Sequence, residues 1–261
     1  MLTKLLMLLF TCVYAMGFSQ NNAKEKTILI IVAHPDDETI VGEVMLKYKT
    51  AGYKIKLIIT TDGKDGTRVT KIPAGDSLGN LRKQESICAC AKIGIEPPIF
   101  LGIDRLDTKH GVRHYFNSHD SLMKLLKEKI PAINPSFIIT FGPDGDTHHA
   151  EHIVTGASVT ELLLAEGWVD KYPLYYLAWS KQQNKIDEVD ELGVVDEQYL
   201  NVKISYTQEE ENKALEMMPC YITQFTAEEI KVDKEKKLAY KNNAMYFRKF
   251  VVKKGLKKDF E

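Results

Sequence analysis

The sequence predicts a single α/β domain in which a mostly parallel sheet carries helices on both faces. Five short apolar runs of strand length alternate with segments that have helical spacing, and such alternation is typical of βαβ units. Residues 27–33 (TILIIVA) form a continuous apolar run rich in β-branched residues, as in a central strand covered on both faces. The chain has 261 residues and is 44% hydrophobic, which suits one domain with a substantial core.

The elements follow in order along the chain. Apolar and β-branched residues predict the strands 27–33, 54–60, 98–101, 136–141 and 174–179. Helical spacing predicts the helices 38–50, 76–93, 120–130 and 150–165 between them. The polar, acidic stretch 182–197 predicts a surface loop, after which we expect an edge strand at 202–204, a helix at 208–218 and a last strand at 244–252.

The first residues predict a secretory signal peptide. Lys4 precedes the apolar run 5–18, and polar residues follow it. This run is shorter than the roughly 20 apolar residues of a spanning helix but has the length of a signal-peptide core. We therefore predict a signal peptide over residues 1–19, a domain over residues 20–261, and an exported protein, periplasmic or secreted, with no membrane span after cleavage. A buried N-terminal helix is the alternative.

Cysteine count and net charge narrow the function classes. Cleavage would leave Cys88, Cys90 and Cys220, and this odd number argues against a disulfide framework, so we expect core thiols.

The net charge of -1 gives no electrostatic reason to expect a nucleic-acid partner, and a small molecule or a glycan fits better. The stretch 27–38 lacks the glycine-rich turn of a nucleotide-binding dehydrogenase.

Two polar segments follow predicted strands and mark a candidate site. The first strand leads into AHPDDE at 33–38, and the strand at 136–141 leads into GPDGDTHHAEH at 142–152. Ligands of open parallel sheets bind beyond the carboxyl ends of the strands, so both segments face one edge. Acidic residues also occur at solvated helix starts, but two such segments after buried strands favour a site.

The spacing within these segments suits one shared metal ion. A catalytic zinc takes three protein ligands of His and carboxylate type and keeps one position open. His34 and Asp37 are one helical turn apart, and His149 and His152 repeat that spacing. Because Asp36 and Asp37 point in different directions, one can bind the metal while the other acts as a general base toward metal-activated water.

These motifs resemble the PIG-L/LmbE family of zinc-dependent N-deacetylases over most of the chain. AHPDDE after the first strand and the later His-x-x-His carry the resemblance. Further matches in order and spacing are Thr61-Asp62-Gly63 with Gly66, Arg82 and Glu85 in LRKQES, and Leu101-Gly102 with Asp104. Near the C-terminus, Thr223-Gln224 resembles the family's Ser-Gln signature.

The resemblance implies a Rossmann-like fold and a set of roles. Zn²⁺ would be held by His34, Asp37 and His152, with Fe²⁺ as another possible metal. Asp36 would be the general base, and His149 the acid or the oxyanion-stabilising group. The implied activity is hydrolysis of an N-acetyl or other N-acyl group from a sugar-like substrate such as an N-acetylglucosamine derivative.

The chain departs from the family pattern at several positions. The second motif is His-Ala-Glu-His, where the family more often has His-Pro-Asp-His, and His148 adds a rival imidazole. We keep His149 because it lies three residues before His152. Tyr221 occupies a position where a His is often found.

Loop residues are candidates for substrate contact. We predict Arg68, Asp104 and Gln224 as substrate-binding residues, because loops on such a scaffold often carry binding groups. Two other functions remain open: a non-catalytic carbohydrate-binding protein that retains the fold, and a hydrolase of another amide such as a thiol-sugar conjugate. The sequence predicts no oligomeric state.

Overall fold

A computed structural model describes residues 25–183, 193–239 and 241–259. The predicted signal peptide, residues 1–19, lies outside these ranges, so export stays a prediction. Within them, no helix has both the length and the apolar character needed to cross a membrane.

Strands and helices alternate through the first half of the chain. The strands are β1 (Thr27–Val32), β2 (Lys54–Thr61), β3 (Ile99–Ile103), β4 (Phe137–Thr140), β5 (Leu174–Ser180), β6 (Val194–Val195), β7 (Val202–Ser205) and β8 (Ala244–Lys249). The helices are α1 (Gly42–Thr50), α2 (Asp76–Ile93), α3 (Val112–Ile133), α4 (Gly145–His148), α5 (Ala150–Ala165), α6 (Gln208–Ala214) and α7 (Ala227–Ala239). Short 3-10 helices cover Asp37–Val41, Glu197–Tyr199 and Met218–Cys220.

The strands form one mostly parallel sheet, as predicted. Their order is β3-β2-β1-β4-β5-β8-β7, and β6 pairs with β5. Strands β1 to β5 run parallel to one another, whereas β8 is antiparallel to both β5 and β7. β7 lies at one edge of the sheet, as expected for residues 202–204.

β1 divides the core into two apolar layers. Successive side chains of a strand point to opposite faces. Ile28 and Ile30 therefore pack with residues of α1 and α2, while Leu29 and Ile31 pack with residues of α3 and α5. Burial on both faces explains the continuous apolar sequence of β1 and confirms helices on both sides of the sheet.

Several helices differ from expectation: α4 was not predicted, and α6 ends at Ala214 and not at the predicted residue 218. α3 begins eight residues earlier than the predicted start at 120. α7 (AEEIKVDKEKKLA) was not predicted, and it contains no fully buried residue. A helix that buries so little carries a weak apolar pattern, which is the signal that sequence analysis depends on.

The expectation of core thiols is wrong for two cysteines. Cys88 in α2 and Cys220 in Met218–Cys220 form a disulfide with a Cα–Cα distance of 5.8 Å, whereas Cys90 is a buried free thiol. The odd number of cysteines could not reveal this pairing, because a count does not show which of the three thiols stays free in the core. The bond attaches the segment that precedes Tyr221 to α2.

Candidate active site

Three predicted metal ligands converge at the carboxyl edge of the sheet. His34 Nδ1 lies 3.2 Å from His152 Nε2 and 3.5 Å from Asp37 Oδ2, and His152 Nε2 lies 3.2 Å from Asp37 Oδ1. Ligand atoms about 2.0–2.1 Å from a tetrahedral ion are separated by about 3.3 Å. The three side chains therefore fit a single tetrahedral cation.

Hydrogen bonds orient each of these ligands. His34 Nε2 donates to Glu151 Oε2 at 2.8 Å, and His152 Nδ1 donates to the Gly145 carbonyl at 3.0 Å. These contacts leave His34 Nδ1 and His152 Nε2 as the ring nitrogens that face the cluster. Asp37 Oδ2 accepts from the backbone N–H of Ala33 and His34. Such outer partners fix the tautomer and the direction of metal-binding imidazoles.

Charges within the cluster hold protons where a cation would bind. Burial lowers the pKa of His34, but Asp37 and Glu151 outweigh it and raise the pKa to about 9. Burial raises the pKa of Asp37, yet His152 and His34 bring it well below its usual value. Carboxylates packed this closely around imidazole nitrogens favour a positive charge between them, which either a proton or a metal cation can supply.

Asp36 lies beside the cluster in a strained conformation. Its φ is 114°, which is costly for a residue with a side chain. Its N–H donates to Glu38 Oε2 at 3.0 Å, and Arg82 Nη2 donates to its Oδ1 at 2.9 Å. Burial raises the pKa of Asp36 to about 7 although Arg82 opposes the shift. A carboxylate with a pKa near neutrality suits general-base chemistry.

Two glycines cradle Arg82. Arg82 is 3% exposed and also donates to the carbonyl oxygens of Gly63 and Pro35. A Cβ at Gly63 or Gly66 would lie only 2.3 or 2.4 Å from Arg82 Nη1. The Thr-Asp-Gly turn and Gly66 thus leave space for the guanidinium that holds Asp36.

His149 caps α5 and faces the two ligand imidazoles. Its Nδ1 accepts from the Glu151 N–H at 3.2 Å, and its ring centroid lies 4.8 Å from that of His34 and 4.9 Å from that of His152. The residue is exposed as a whole, but desolvation of the ring and then the charges of His34 and His152 lower its pKa to about 4. Neutral His149 can therefore offer Nε2–H as a hydrogen-bond donor.

A cavity of about 600 Å³ opens over these groups. Its lining includes all three predicted substrate-binding residues, Arg68, Asp104 and Gln224, whereas His148 lies outside it. Gln224 Nε2 donates to the Gly66 carbonyl at 3.0 Å, and Arg68 donates to the Gln224 carbonyl. These hydrogen bonds hold Arg68 and Gln224 in place at the wall of the cavity, where a ligand can reach them.

Two groups of side chains in the described residues could hold a cation. One contains His34, His149 and His152, and the other contains Asp104, His110 and His114. Lys64 already contacts Asp104 in the second group, so a cation there would meet a positive charge. We therefore favour the first location, with Asp37 completing it and His149 free to contact substrate.

Several site residues were not assigned a role from sequence. Glu151 holds His34, and it appeared only as a departure from the family motif. Asp146 accepts from the Trp179 indole, and burial raises its pKa to about 6. Tyr221 donates to Glu38 across 183 residues of sequence, a contact for which the sequence contains no local signal.

Comparisons with known proteins match the part of the chain that contains His34, Asp37 and His152. The family model described as PIG-L, GlcNAc-PI de-N-acetylase, matches residues 29–163. The chain is 25% identical over 191 residues to a 1D-myo-inositol 2-acetamido-2-deoxy-alpha-D-glucopyranoside deacetylase of Mycolicibacterium vanbaalenii, a match that covers 67% of this chain and 66% of that protein.

Solved structures share the fold at low sequence identity. N,N'-diacetylchitobiose deacetylase from Pyrococcus horikoshii has a TM-score of 0.59 and 16% identity, over 87% of this chain and 84% of that one. The 4-carboxy-2-hydroxymuconate hydratase GalB of Pseudomonas putida has a TM-score of 0.60 and 14% identity, over 89% and 100%. Because a hydratase shares the fold, the fold alone does not specify the reaction.

Proposed function

Because the chain belongs to the PIG-L family of GlcNAc-PI de-N-acetylases, we propose that it is a metal-dependent hydrolase that removes an N-acetyl group from a sugar-like substrate such as an N-acetylglucosamine derivative. One observation carries the proposal. His34 Nδ1, His152 Nε2 and the Asp37 carboxylate converge at 3.2–3.5 Å, and a separate carboxylate, Asp36, lies beside them with a pKa of about 7.

The donor set fits zinc, which is our proposed ion, and it also fits iron(II), because imidazole is a common ligand of both ions. His34, Asp37 and His152 would hold the ion. When bound, it would act as a Lewis acid toward the amide carbonyl and lower the pKa of water.

The other roles belong to the side chains around the ligands. Asp36 takes a proton from the attacking water and passes it to the leaving amine, while Arg82 holds the carboxylate in position. His149 donates Nε2–H to the oxyanion that develops on the carbonyl oxygen. One preorganised donor of this type contributes about 2.7–4 kcal/mol in other enzymes.

The test is acetate release from a panel of N-acetylated sugars and cell-wall fragments. It compares zinc-loaded protein, chelated protein and zinc-loaded Asp36→Ala, with metal content measured by mass spectrometry. We expect release that needs metal and falls about 10²–10⁴-fold in Asp36→Ala. Full activity of metal-loaded Asp36→Ala would contradict the base role, and release after complete chelation would contradict the metal.

A non-catalytic carbohydrate-binding role is less well supported. Binding alone has no need for a carboxylate held at a φ of 114° beside Arg82. Hydrolysis of another amide, such as a thiol-sugar conjugate, would use the same groups, and the substrate panel separates it from sugar de-N-acetylation.

We also propose that the protein is exported. The apolar run 5–18 supports this, as does the Cys88–Cys220 bond, because disulfides persist mainly in oxidising compartments. Cell fractionation with mass spectrometry of the mature N-terminus is the test. A cytosolic protein that retains residues 1–19 would contradict the proposal.

A further inference from the structure

A second cavity of about 340 Å³ adjoins the metal-site cavity. The two meet at residues that line both: Thr39, Ile40, Asp146, Thr147 and Phe225. Beyond these residues, the apolar part of the wall is formed mainly by Trp179, Tyr206, Leu215, Met218 and Met245. The polar part of the wall contains the ion pair of Glu43 and Lys237, at 2.9 Å, together with Gln183, Glu211, Asp233 and Lys236.

The two cavities lie over opposite halves of the sheet. His34 and Asp37 follow β1, and His152 follows β4, so the ligands lie over the middle of the order β3-β2-β1-β4-β5-β8-β7. The charged wall of the first cavity follows β2 and β3 and includes Lys64, Arg68, Asp104, Arg105 and Lys109.

Three apolar side chains of the second cavity come from the other half. Trp179 is the penultimate residue of β5, Met245 is the second residue of β8, and Tyr206 directly follows β7. Because β8 runs antiparallel to β5 and β7, its first residues lie at the same edge as the last residues of those strands. The apolar cavity therefore lies on the side of the ligands away from the charged wall.

This arrangement gives the amine part and the acyl part of an amide substrate different surroundings. With the scissile carbonyl at His34, Asp37 and His152, the amine and acyl parts extend toward opposite halves of the sheet. Sugar hydroxyls match the charged wall, and a hydrocarbon chain matches the apolar one. Resting on the proposed function, we propose that the second cavity accommodates an N-acyl chain longer than acetyl, so that the preferred substrates are amino sugars with medium-length acyl chains.

The experiment measures kcat/KM for amine release by the zinc-loaded protein. The substrates are glucosamine carrying N-acetyl, N-butyryl, N-hexanoyl or N-octanoyl, together with the octyl glycoside of N-acetylglucosamine. Complete burial of one methylene increases binding about fourfold. We expect kcat/KM to rise at least ~10-fold from acetyl to hexanoyl, a gain below the limit for full burial.

Two substitutions to Trp test whether the acyl chain binds in the second cavity. Met218→Trp fills the cavity, so we expect the hexanoyl-to-acetyl ratio of kcat/KM to fall toward one. Ile222→Trp is the matched control, since Ile222 is 67% exposed and lies outside the lining, and it leaves that ratio unchanged. Binding is followed separately by the fluorescence of Trp179 during titration with octanoate, with Trp179→Phe as the reference.

Each outcome shows whether the second cavity binds the acyl chain or another part of the substrate. Equal kcat/KM for acetyl and hexanoyl would overturn the acyl-chain proposal and leave the proposed function intact. A gain only for the octyl glycoside would also overturn it, because the cavity would then take the aglycone. No amine release from any substrate would instead overturn the proposed function, and the Trp179 titration would still decide whether the cavity binds an acyl chain.

Discussion

At the residue scale, Glu151 connects His34, a proposed metal ligand, to the scaffold. Its Oε2 accepts from His34, while its Oε1 accepts from the Leu106 N–H at 2.7 Å. Glu151→Gln keeps only one acceptor oxygen, so one of these two donors loses its partner. We expect zinc affinity to fall about 10–100-fold, measured by competition with a chromogenic chelator.

Glu161→Gln provides the control for this change. Glu161 lies in the same helix, α5, and its side chain is 60% exposed. Unchanged zinc affinity is expected there. A similar loss in both variants would show that helix charge, and not the contact with His34, governs affinity.

The pKa of His34 makes metal binding depend on pH. Protonated His34 cannot bind a cation, and its pKa of about 9 in the metal-free protein keeps it largely protonated at neutral pH. Metal binding must therefore release a proton, and apparent affinity rises about tenfold per pH unit toward pH 9. Calorimetry in buffers of different ionisation enthalpy measures this proton, and affinity independent of pH between 6.5 and 8.5 would contradict the assignment.

At the element scale, the turn after β2 controls the position of Asp36 through Arg82. Gly63→Ala would bring a Cβ against Arg82 Nη1, whereas Gly52→Ala meets nothing within 4 Å. Both glycines have positive φ, 60° and 83°, so both variants carry a similar backbone cost of about 1 kcal/mol. We expect a loss of kcat of ~10-fold or more, the range of general-base effects, only in Gly63→Ala, with zinc retained in both. Equal activities would contradict the role of Arg82.

The disulfide holds the C-terminal part of the site against α2. Thr223 donates to Glu85 through both its N–H and its hydroxyl, and Tyr221 donates to Glu38. We expect the double variant Cys88→Ser/Cys220→Ser to lose about 2–4 kcal/mol of unfolding free energy, measured by urea titration. Reducing agent should lower the stability of the unsubstituted protein by a similar amount and leave the double variant unchanged.

The sequence predicted the parts of the fold and site that have local signals. β1 could be placed because it is buried on both faces, and His34 and His152 were found because strand ends and three-residue spacings are visible along the chain. α7 buries too little to produce a pattern. The Tyr221–Glu38 and Cys88–Cys220 pairs depend on how distant segments pack, and one sequence carries no record of that packing.

At the scale of the whole molecule, the sheet order separates three tasks. The loops after β2 and β3 carry the charged wall, and those after β1 and β4 carry the proposed metal ligands. The ends of β5 and β7 and the start of β8 border the apolar cavity. Loops tolerate sequence change better than the strands that support them. The two outer groups of loops can therefore change with little effect on the ligands, except at Gly63 and Leu106, which contact Arg82 and Glu151.

The Cys88–Cys220 bond also changes how far apart the contacts of the site are along the chain. Glu85 and Thr223 are separated by 138 residues, but each lies three residues from a bonded cysteine. With the bond formed, their pairing becomes a nearly local event, and folding rates rise as contacts become more local. The oxidised chain should therefore refold from urea faster than the reduced chain in stopped-flow fluorescence. The disulfide keeps the segments around Glu85 and Thr223 close together in the unfolded chain, so the site assembles sooner.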